Sequence, residues 1–412
     1  MPRLILVFKP ESASSQDITL PQARIYLDYN ASAPLHPAAR SAMIDAYEAC
    51  GNPSSVHTEG RAARAIVEAA REETATFVKA EAKNVVFTSG GTEALNLALT
   101  PFIETAGEKH PFDLLLTGAG EHLAVLAGHR FPSGQVKQIK LTRQGLLELD
   151  DLGEALERAR AGGKRVMLAL QAANNETGVI QPVAKAAEMV HAVGGILICD
   201  AVQACGKVAF DLESSGADAA VISAHKFGGP QGAGALCFRS GELHIGEPLL
   251  RGGGQERGLR AGTGNVAGLA GMAAAIRAAR ERLEEESARL ARWRGEIEKA
   301  IARIAPGAIF FGAGAERLPN TTSFALPSIE AEVLLISLDI AGFAVSSGSA
   351  CSSGKVGPSH VLCAMGFAPD LARRAIRVSL GWNSREQDCQ ALVEAVEKIT
   401  KRVWARRRAT AA

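Results

Sequence analysis

The chain has 412 residues, and its 45 basic and 44 acidic side chains leave a formal net charge of only +1. This balance excludes a bulk electrostatic attraction to nucleic acid or membrane as the basis of function. The apolar share of 47% and the charged share of 22% are typical of a globular protein that is long enough for two or three domains.

The cysteines and the apolar runs predict a cytoplasmic protein. The seven cysteines are scattered, and no C-x-x-C pair occurs, which argues against a disulfide framework or a zinc knuckle and for a reducing compartment. No apolar run reaches the roughly 18 residues of a membrane span. The apolar stretch 4–8 is too short for a signal-peptide core, and we expect residues 1–24 to form an irregular N-terminal extension.

From about residue 25 to residue 268, short apolar runs alternate with turns and helical patterns. "NVVFTSGGTEALNLAL" reads as strand, glycine turn and helix, and "DLLLTGAGEH", "RVMLALQAANNETG", "GGILICDAVQ" and "DAAVISAHKFGG" read as buried strands with polar or small ends. This pattern predicts a mostly parallel sheet covered on both faces, with its ligand beyond the carboxyl ends of the strands. The polar residues at those ends are Thr92, His122, Asn174, Asn175, Asp200, Gln203, His225 and Lys226.

The pattern changes after residue 271. Residues 272–304 are rich in Ala, Glu and Arg at helical spacing, which predicts one long helix leading into a second domain. We therefore expect a large domain over residues 25–271 and a smaller C-terminal domain over residues 272–412. The second domain would contain the loop "SSGSACSSG", the segment "RAIRVSLG" and a final amphipathic helix near 385–405.

A lysine directly after a buried strand is the first indication of chemistry. Lys226 precedes Gly228 and Gly229, and a desolvated lysine amine has a lowered pKa and is nucleophilic. Taken alone, such a lysine is more often a strand-end residue whose amine reaches water. Asp200 ends another strand and can pair with a pyridinium nitrogen, although it can equally cap a helix. Lysine and acid together are the arrangement that holds pyridoxal phosphate.

The segment "TSGGTEALN" predicts a helix that begins near Thr92, after Gly90 and Gly91. The free N–H groups and the dipole of a helix start favour an anion such as phosphate, and Ser223 and His225 flank the lysine within reach of the same anion. The segment is also ordinary helix-start chemistry. It matches neither the dinucleotide pattern G-x-G-x-x-G nor a Walker loop.

Eight segments in order resemble one known family. They are "LDYNASAPLHP", "GNPSSVHTEGRAAR", "SGGTEALN", "NNETGVIQP", "DAVQACGK", "SAHKFGGPQGAGAL", "SSGSACSSG" and "IRVSLG", and they cover residues 25 to 384. Together they resemble cysteine desulfurases of the NifS/IscS type, within the class V pyridoxal-phosphate-dependent aminotransferases. The resemblance implies an α/β protein of PLP-dependent transferase fold type I, in which a large domain has a mostly parallel seven-stranded sheet and a smaller domain is α+β.

The same resemblance implies a role for each cofactor-site residue. Lys226 would attach pyridoxal 5′-phosphate, and His122 would stack on its ring and move protons. Asp200 and Gln203 would bond the ring nitrogen and the phenolic oxygen. The remaining cofactor-binding residues would be Gly91, Thr92, Asn175, Ser223 and His225, with Thr263 reaching the phosphate of the neighbouring subunit in a homodimer. Thr263 equally fits a plain glycine-rich turn.

For the substrate, L-cysteine, the resemblance implies that Arg377 clamps the carboxylate together with Asn175. Cys351 would take the sulfur as a persulfide, with release of L-alanine, and would pass it to an acceptor such as an iron–sulfur scaffold protein. Its small-residue loop gives the thiol reach. With a single cysteine, the loop is a poor iron–sulfur ligand set, so a metal at Cys351 would be only a transient cluster contact.

Four alternatives stay open at the level of sequence. A selenocysteine lyase or a cysteine-sulfinate desulfinase would share the fold and the site. A true aminotransferase would not need Cys351. A non-catalytic scaffold would not need the combination of Lys226, Asp200, His122 and Arg377.

Overall fold

The computed structural model describes residues 24–49, 51–105, 110–347 and 357–411, whose strands form four sheets. The strands are β1 (Ile25–Tyr26), β2 (Val85–Thr88), β3 (Ile103–Thr105), β4 (Leu114–Gly118), β5 (Val136–Ile139), β6 (Val166–Gln171), β7 (Ile196–Asp200), β8 (Ala219–Ser223), β9 (Gly234–Phe238), β10 (Leu243–Ile245), β11 (Ile309–Phe310), β12 (Thr321–Ala325), β13 (Phe343–Ala344), β14 (Ser346–Ser347) and β15 (Ile376–Ser379). The helices are α1 (Pro37–Glu48), α2 (Thr58–Val78), α3 (Gly91–Ala98), α4 (Leu123–Leu126), α5 (Leu149–Ala161), α6 (Val183–His191), α7 (Val266–Glu281), α8 (Leu283–Ile304), α9 (Ala331–Ile340), α10 (His360–Ala364), α11 (Pro369–Ala372) and α12 (Glu386–Ala411).

The largest sheet has seven strands in the order β2-β9-β8-β7-β6-β4-β5. Strands β5, β4, β6, β7 and β8 are parallel to one another, and β9 is antiparallel to both of its neighbours. The predicted mostly parallel, seven-stranded α/β fold is therefore confirmed. Since parallel strands end at the same edge, the carboxyl ends of β4, β6, β7 and β8 meet at one side of the sheet.

Both faces of this sheet are buried, as its continuous apolar strands predict. Along β6, Leu168 and Leu170 contribute to the core on one face, and Met167 and Ala169 contribute to the core on the other. This alternation follows from the period of two along a strand. Because both faces of such a strand are covered, polar side chains can reach a cavity at the end of the strand.

The predicted single helix over 272–304 is two helices. α7 ends at Glu281, the backbone leaves the helical region at Arg282 with ψ 8°, and α8 begins at Leu283. α7 packs against α1 and α2, whereas α8 packs against α12. Arg282 therefore marks the point where the chain passes from the large sheet to the C-terminal elements.

The C-terminal elements surround an antiparallel sheet in the order β11-β12-β15-β14. Its core contains Trp293 and Ile297 of α8, Phe324 of β12 and Leu392 of α12. β1 pairs in parallel with β13, so the chain from residue 25 starts against these C-terminal strands. The boundaries predicted at residues 24 and 271 stay a prediction.

Within the described residues, no helix combines the length and the apolar character that crossing a membrane requires.

Candidate active site

A cavity of about 340 Å³ opens where strands β6, β7 and β8 end and where Arg377 of β15 enters from the C-terminal sheet. The structure brings together ten of the residues predicted from sequence, since all of them line this cavity: Gly91, Thr92, His122, Asn175, Asp200, Gln203, Ser223, His225, Lys226 and Arg377. Polar residues at the strand ends therefore line a single cavity, as the sequence pattern predicted.

Lys226 lies in a short 3₁₀ turn, Ala224–Lys226, that directly follows β8. Its Nζ donates hydrogen bonds to the backbone oxygens of Asn30 and Ala31, each at 2.8 Å. Two main-chain carbonyls thus hold the amine at the cavity. The amine is thus placed for attachment of a carbonyl compound.

Asp200 and His122 both line the cavity, and each affects the pKa of the other. Burial raises the pKa of Asp200, opposed by the hydrogen bond of 3.0 Å that the Val202 N–H donates to Oδ1 and by the charges of His122 and Lys226. Burial lowers the pKa of His122, and the Asp200 carboxylate opposes that shift. His122 Nδ1 accepts from the Ala124 N–H at 3.1 Å, which leaves the proton of a neutral imidazole on Nε2.

The opposite end of the cavity is suited to an anion. Gly91 and Thr92 begin α3, and the first N–H groups of a helix have no partners inside it. A Cβ at Gly91 would lie 2.9 Å from Val202 Cγ2, so the start of α3 packs closely against the Val202 side chain. Ser223 lines the same end, and burial together with the charge of Lys226 lowers the pKa of His225 to about 4.

Gln203 is buried with both ends of its amide engaged. Its Nε2 donates to the backbone oxygen of Asn30 at 3.0 Å, and its Oε1 accepts from the amine of Lys207. An amide that is fixed at its oxygen must present its N–H groups to the cavity side. Gln203 is therefore a hydrogen-bond donor at this site.

Arg377 is 3% exposed and is held by two partners. One terminal nitrogen donates to the Asn175 backbone oxygen at 3.0 Å, and the other forms an ion pair of 2.7 Å with Asp28. Its Nε is buried without a hydrogen-bond partner among the described residues. A buried guanidinium with an unused donor is suited to a carboxylate ligand.

Other predicted residues lie elsewhere. Asn174 accepts from the N–H groups of Glu176 and Thr177, both at 2.9 Å, and so holds its turn together. Thr263 is exposed and lines a second cavity instead. Cys351 lies outside the described residues. No group of three potential metal ligands occurs in the described ranges.

Three residues of the site were missed from the sequence. Asn30, which is 1% exposed, has hydrogen bonds at each of its polar atoms, and Asp28 holds Arg377. Lys207 contacts both Asn30 and Gln203. They lie in the segments "LDYNASAPLHP" and "DAVQACGK". Their charged or amide side chains were the only sign of a role in the sequence of these segments.

The comparison with protein families assigns the chain. The family described as aminotransferase class-V matches residues 25–392. The chain therefore belongs to the class-V aminotransferase family, whose members depend on pyridoxal 5′-phosphate.

Within this family the chain is similar to cysteine desulfurases. It is 36% identical to cysteine desulfurase IscS of Dictyoglomus turgidum over 92% of this chain and 95% of that one, and 38% identical to an IscS-like cysteine desulfurase of Mycobacterium tuberculosis over 94% and 98%. A solved NifS-like protein from Rickettsia africae matches with a TM-score of 0.82 at 31% identity and covers 92% of this chain and 100% of its own. The predicted resemblance to the NifS/IscS type is confirmed.

Proposed function

We propose that this chain is a pyridoxal-phosphate-dependent cysteine desulfurase, which removes sulfur from L-cysteine, releases L-alanine and holds the sulfur on Cys351 as a persulfide. The observation that carries the proposal is the convergence of Lys226, Asp200, His122 and Arg377 on one cavity. An amine, an acid, a base and a carboxylate-binding guanidinium are the groups that such a reaction on an amino acid requires.

The residues of the cavity fit pyridoxal phosphate. The start of α3 offers N–H groups without helical partners beside the hydroxyls of Thr92 and Ser223, which matches a phosphate there. Asp200 supplies a buried carboxylate on β7, and Lys226 supplies the amine on the turn after β8. Thr92, Ser223 and His225 would bind the phosphate, and Gln203 would donate to the phenolic oxygen.

Bound pyridoxal phosphate would supply an electron sink for the Cα of the substrate. Lys226 Nζ would accept the Cα proton, because this amine lines the cavity and is held there by the backbone oxygens of Asn30 and Ala31. His122 would stack on the ring and hold a proton at Nε2, near the leaving group. Arg377 would orient the substrate by its carboxylate, together with the Asn175 side chain.

In the sulfur step, the substrate supplies the outer sulfur of the persulfide. The Cys351 thiolate attacks the substrate sulfur, the C–S bond of the substrate breaks, and its electron pair stays with the carbon chain. That carbon gains a proton, so L-cysteine and a thiol become L-alanine and a persulfide. The thiolate is the reactive form, so the step requires a deprotonated Cys351.

Three further features complete the proposal. The enzyme acts in the cytoplasm, its persulfide goes to an acceptor protein for iron–sulfur cluster assembly, and it works as a homodimer. The exposed position of Thr263, away from the cavity of its own subunit, supports a role toward the phosphate of a neighbouring subunit.

The test incubates the purified holoenzyme with L-cysteine and measures alanine, sulfide after reduction, and added sulfur at Cys351 by mass spectrometry. Cys351→Ser should keep the absorbance of the cofactor and lose sulfide release. Cys363→Ser is the matched control, since this partly exposed cysteine lies on α10 and has no proposed role. Sulfide release at the full rate from Cys351→Ser would overturn the proposal.

A further inference from the structure

Lys207 is a buried lysine directly beside the candidate active site. It is 7% exposed, and its Nζ donates to Asn30 Oδ1 at 3.0 Å and to Gln203 Oε1. Among the described residues no carboxylate forms an ion pair with it. Because a buried amine without an acidic partner is energetically costly, its presence calls for an explanation in terms of what it contacts.

The charged groups around Lys207 do not stabilise its protonated amine. Burial lowers the pKa of Lys207 well below its usual value, and the cations Lys226 and Arg377 lower it further. The thiol of Cys205 opposes the shift. In either protonation state the nitrogen still carries N–H donors, so its two hydrogen bonds to amide oxygens persist.

Each of these two hydrogen bonds determines the orientation of an amide. With Oε1 of Gln203 facing Lys207, Nε2 faces the Asn30 backbone oxygen at 3.0 Å and the cavity. With Oδ1 of Asn30 facing Lys207, Nδ2 donates to the Asn175 backbone oxygen at 3.1 Å and to Thr321 at 2.8 Å. A rotated amide at either residue would place oxygen against oxygen.

Asn30 connects Lys207 to the proposed cofactor lysine, Lys226, and through Asn175 to the proposed substrate arginine, Arg377. Its backbone oxygen accepts from Lys226 Nζ at 2.8 Å. The Asn175 oxygen that Asn30 contacts also accepts from Arg377 at 3.0 Å. A single amine thus determines the orientation of the groups around both functional cations.

We propose that Lys207 is a positioning residue for the pyridoxal phosphate site. Its amine fixes the amides of Gln203 and Asn30, so that Gln203 presents N–H to the phenolic oxygen and the Asn30 backbone oxygen stays in place for Lys226. The inference rests on the proposed cofactor chemistry and adds a residue to which no role has been given.

Removal of Lys207 should change the protonation of the linkage between Lys226 and the cofactor. Without Lys207, only the hydrogen bond of 3.0 Å from Nε2 to the Asn30 backbone oxygen holds the Gln203 amide, so its donor is less firmly fixed toward the phenolic oxygen. More negative charge on that oxygen favours the protonated linkage. We expect the pH midpoint of the cofactor absorbance to rise by about one unit in Lys207→Met.

The experiment titrates the absorbance of the resting holoenzyme against pH in four proteins: wild type, Lys207→Met, Gln203→Ala and the double variant. If Lys207 acts through Gln203, the double variant should have the midpoint of Gln203→Ala alone. Lys185→Met is the matched control, because it removes an exposed lysine that pairs with Glu188, and its midpoint should be that of wild type.

An unchanged midpoint in Lys207→Met, or full additivity in the double variant, would overturn the proposal. If Lys207→Met does not fold, Lys207→Gln retains one donor and should show a smaller rise, and no rise would again contradict the inference. The titration needs no turnover, so its failure is distinguishable from an absence of desulfurase activity, which is measured as alanine from L-cysteine.

Discussion

Two cavities of this molecule differ in size and in chemistry. The smaller, of about 340 Å³, lies at the strand ends, and the larger, of about 700 Å³, is lined by α2 and by residues of the loop 254–265, including Thr263. Two ion pairs hold the wall of the larger cavity, Arg71 with Glu256 at 2.7 Å and Arg260 with Glu93 at 2.9 Å.

In the smaller cavity Arg377 is also paired, with Asp28 at 2.7 Å, but its Nε is buried without a partner among the described residues. Lys226 is held there by the backbone oxygens of Asn30 and Ala31. A buried donor without a partner indicates a place for a ligand. The chemistry of the lining residues, and not the volume, therefore identifies the smaller cavity as the candidate active site.

The largest effect should come from Lys226→Ala in the smaller cavity. This change removes both the attachment point and the proposed proton acceptor, so we expect alanine formation to fall by about 10⁴-fold or more. The absorbance of the attached cofactor should disappear as well. Lys79→Ala, at an exposed lysine paired with Asp211, is the control. Wild-type absorbance in Lys226→Ala would show that the amine has another role.

Arg377→Ala should have the next largest effect. It removes the proposed carboxylate clamp, and losing one partner of a buried charge pair in a complex costs about 2–5 kcal/mol of binding, so kcat/KM for L-cysteine should fall by about 10³-fold. It also leaves Asp28 without its cation. Arg377→Lys keeps the charge without the planar fork and should recover part of the loss. Cofactor absorbance should stay unchanged, and its loss would place Arg377 at the cofactor instead.

The sequence predicted the smaller cavity well because strand ends are a local feature. A buried run followed by Asp200 or Lys226 can be recognised without knowledge of the fold, and parallel pairing then brings the ends together. Asn30 and Lys207 could not be found in this way. They meet across 177 residues of chain, and neither lies at the end of a strand in the large sheet.

The larger cavity was not predicted, for a related reason. Its walls depend on the ion pair between Arg71 and Glu256, which are 185 residues apart. Glu256 and Arg257 both adopt left-handed backbone angles, with φ of 48° and 56°. Neither residue is a glycine or an asparagine, so the residue types at these two positions do not predict this conformation. The Glu256 carboxylate also accepts from the Phe87 N–H at 2.9 Å, so tertiary contacts stabilise this unusual loop.

A pH-dependent effect is expected at Glu176, beside the substrate end of the smaller cavity. Burial raises the pKa of this carboxyl to about 7, although a hydrogen bond from Ser359 and the charge of Arg377 oppose the shift. The folded protein therefore binds a proton that the unfolded chain releases. This contribution to stability is complete below about pH 4.5 and is lost as the pH rises through about 7.

Glu176→Gln stays neutral and keeps a hydrogen-bond acceptor for Ser359. Relative to wild type, the variant should gain about 3 kcal/mol in free energy of unfolding between about pH 4.5 and pH 8, as measured by urea unfolding. Glu188→Gln, at an exposed carboxylate, should show no such gain. A constant difference between Glu176→Gln and wild type across the pH range would contradict this prediction.

The smallest effect is expected from Thr263→Ala, and it tests what the larger cavity is for. Loss of one hydrogen bond to a phosphate should weaken cofactor binding by about 10-fold. In a mixed dimer of a Thr263→Ala chain with a Lys226→Ala chain, the Thr263→Ala chain keeps its own Lys226 and receives an intact Thr263 from its partner. If Thr263 acts across the interface, this site should bind the cofactor with wild-type affinity. If Thr263 acts within its own subunit, both sites of the mixed dimer stay defective, and the larger cavity has no part in the cofactor site of a neighbour.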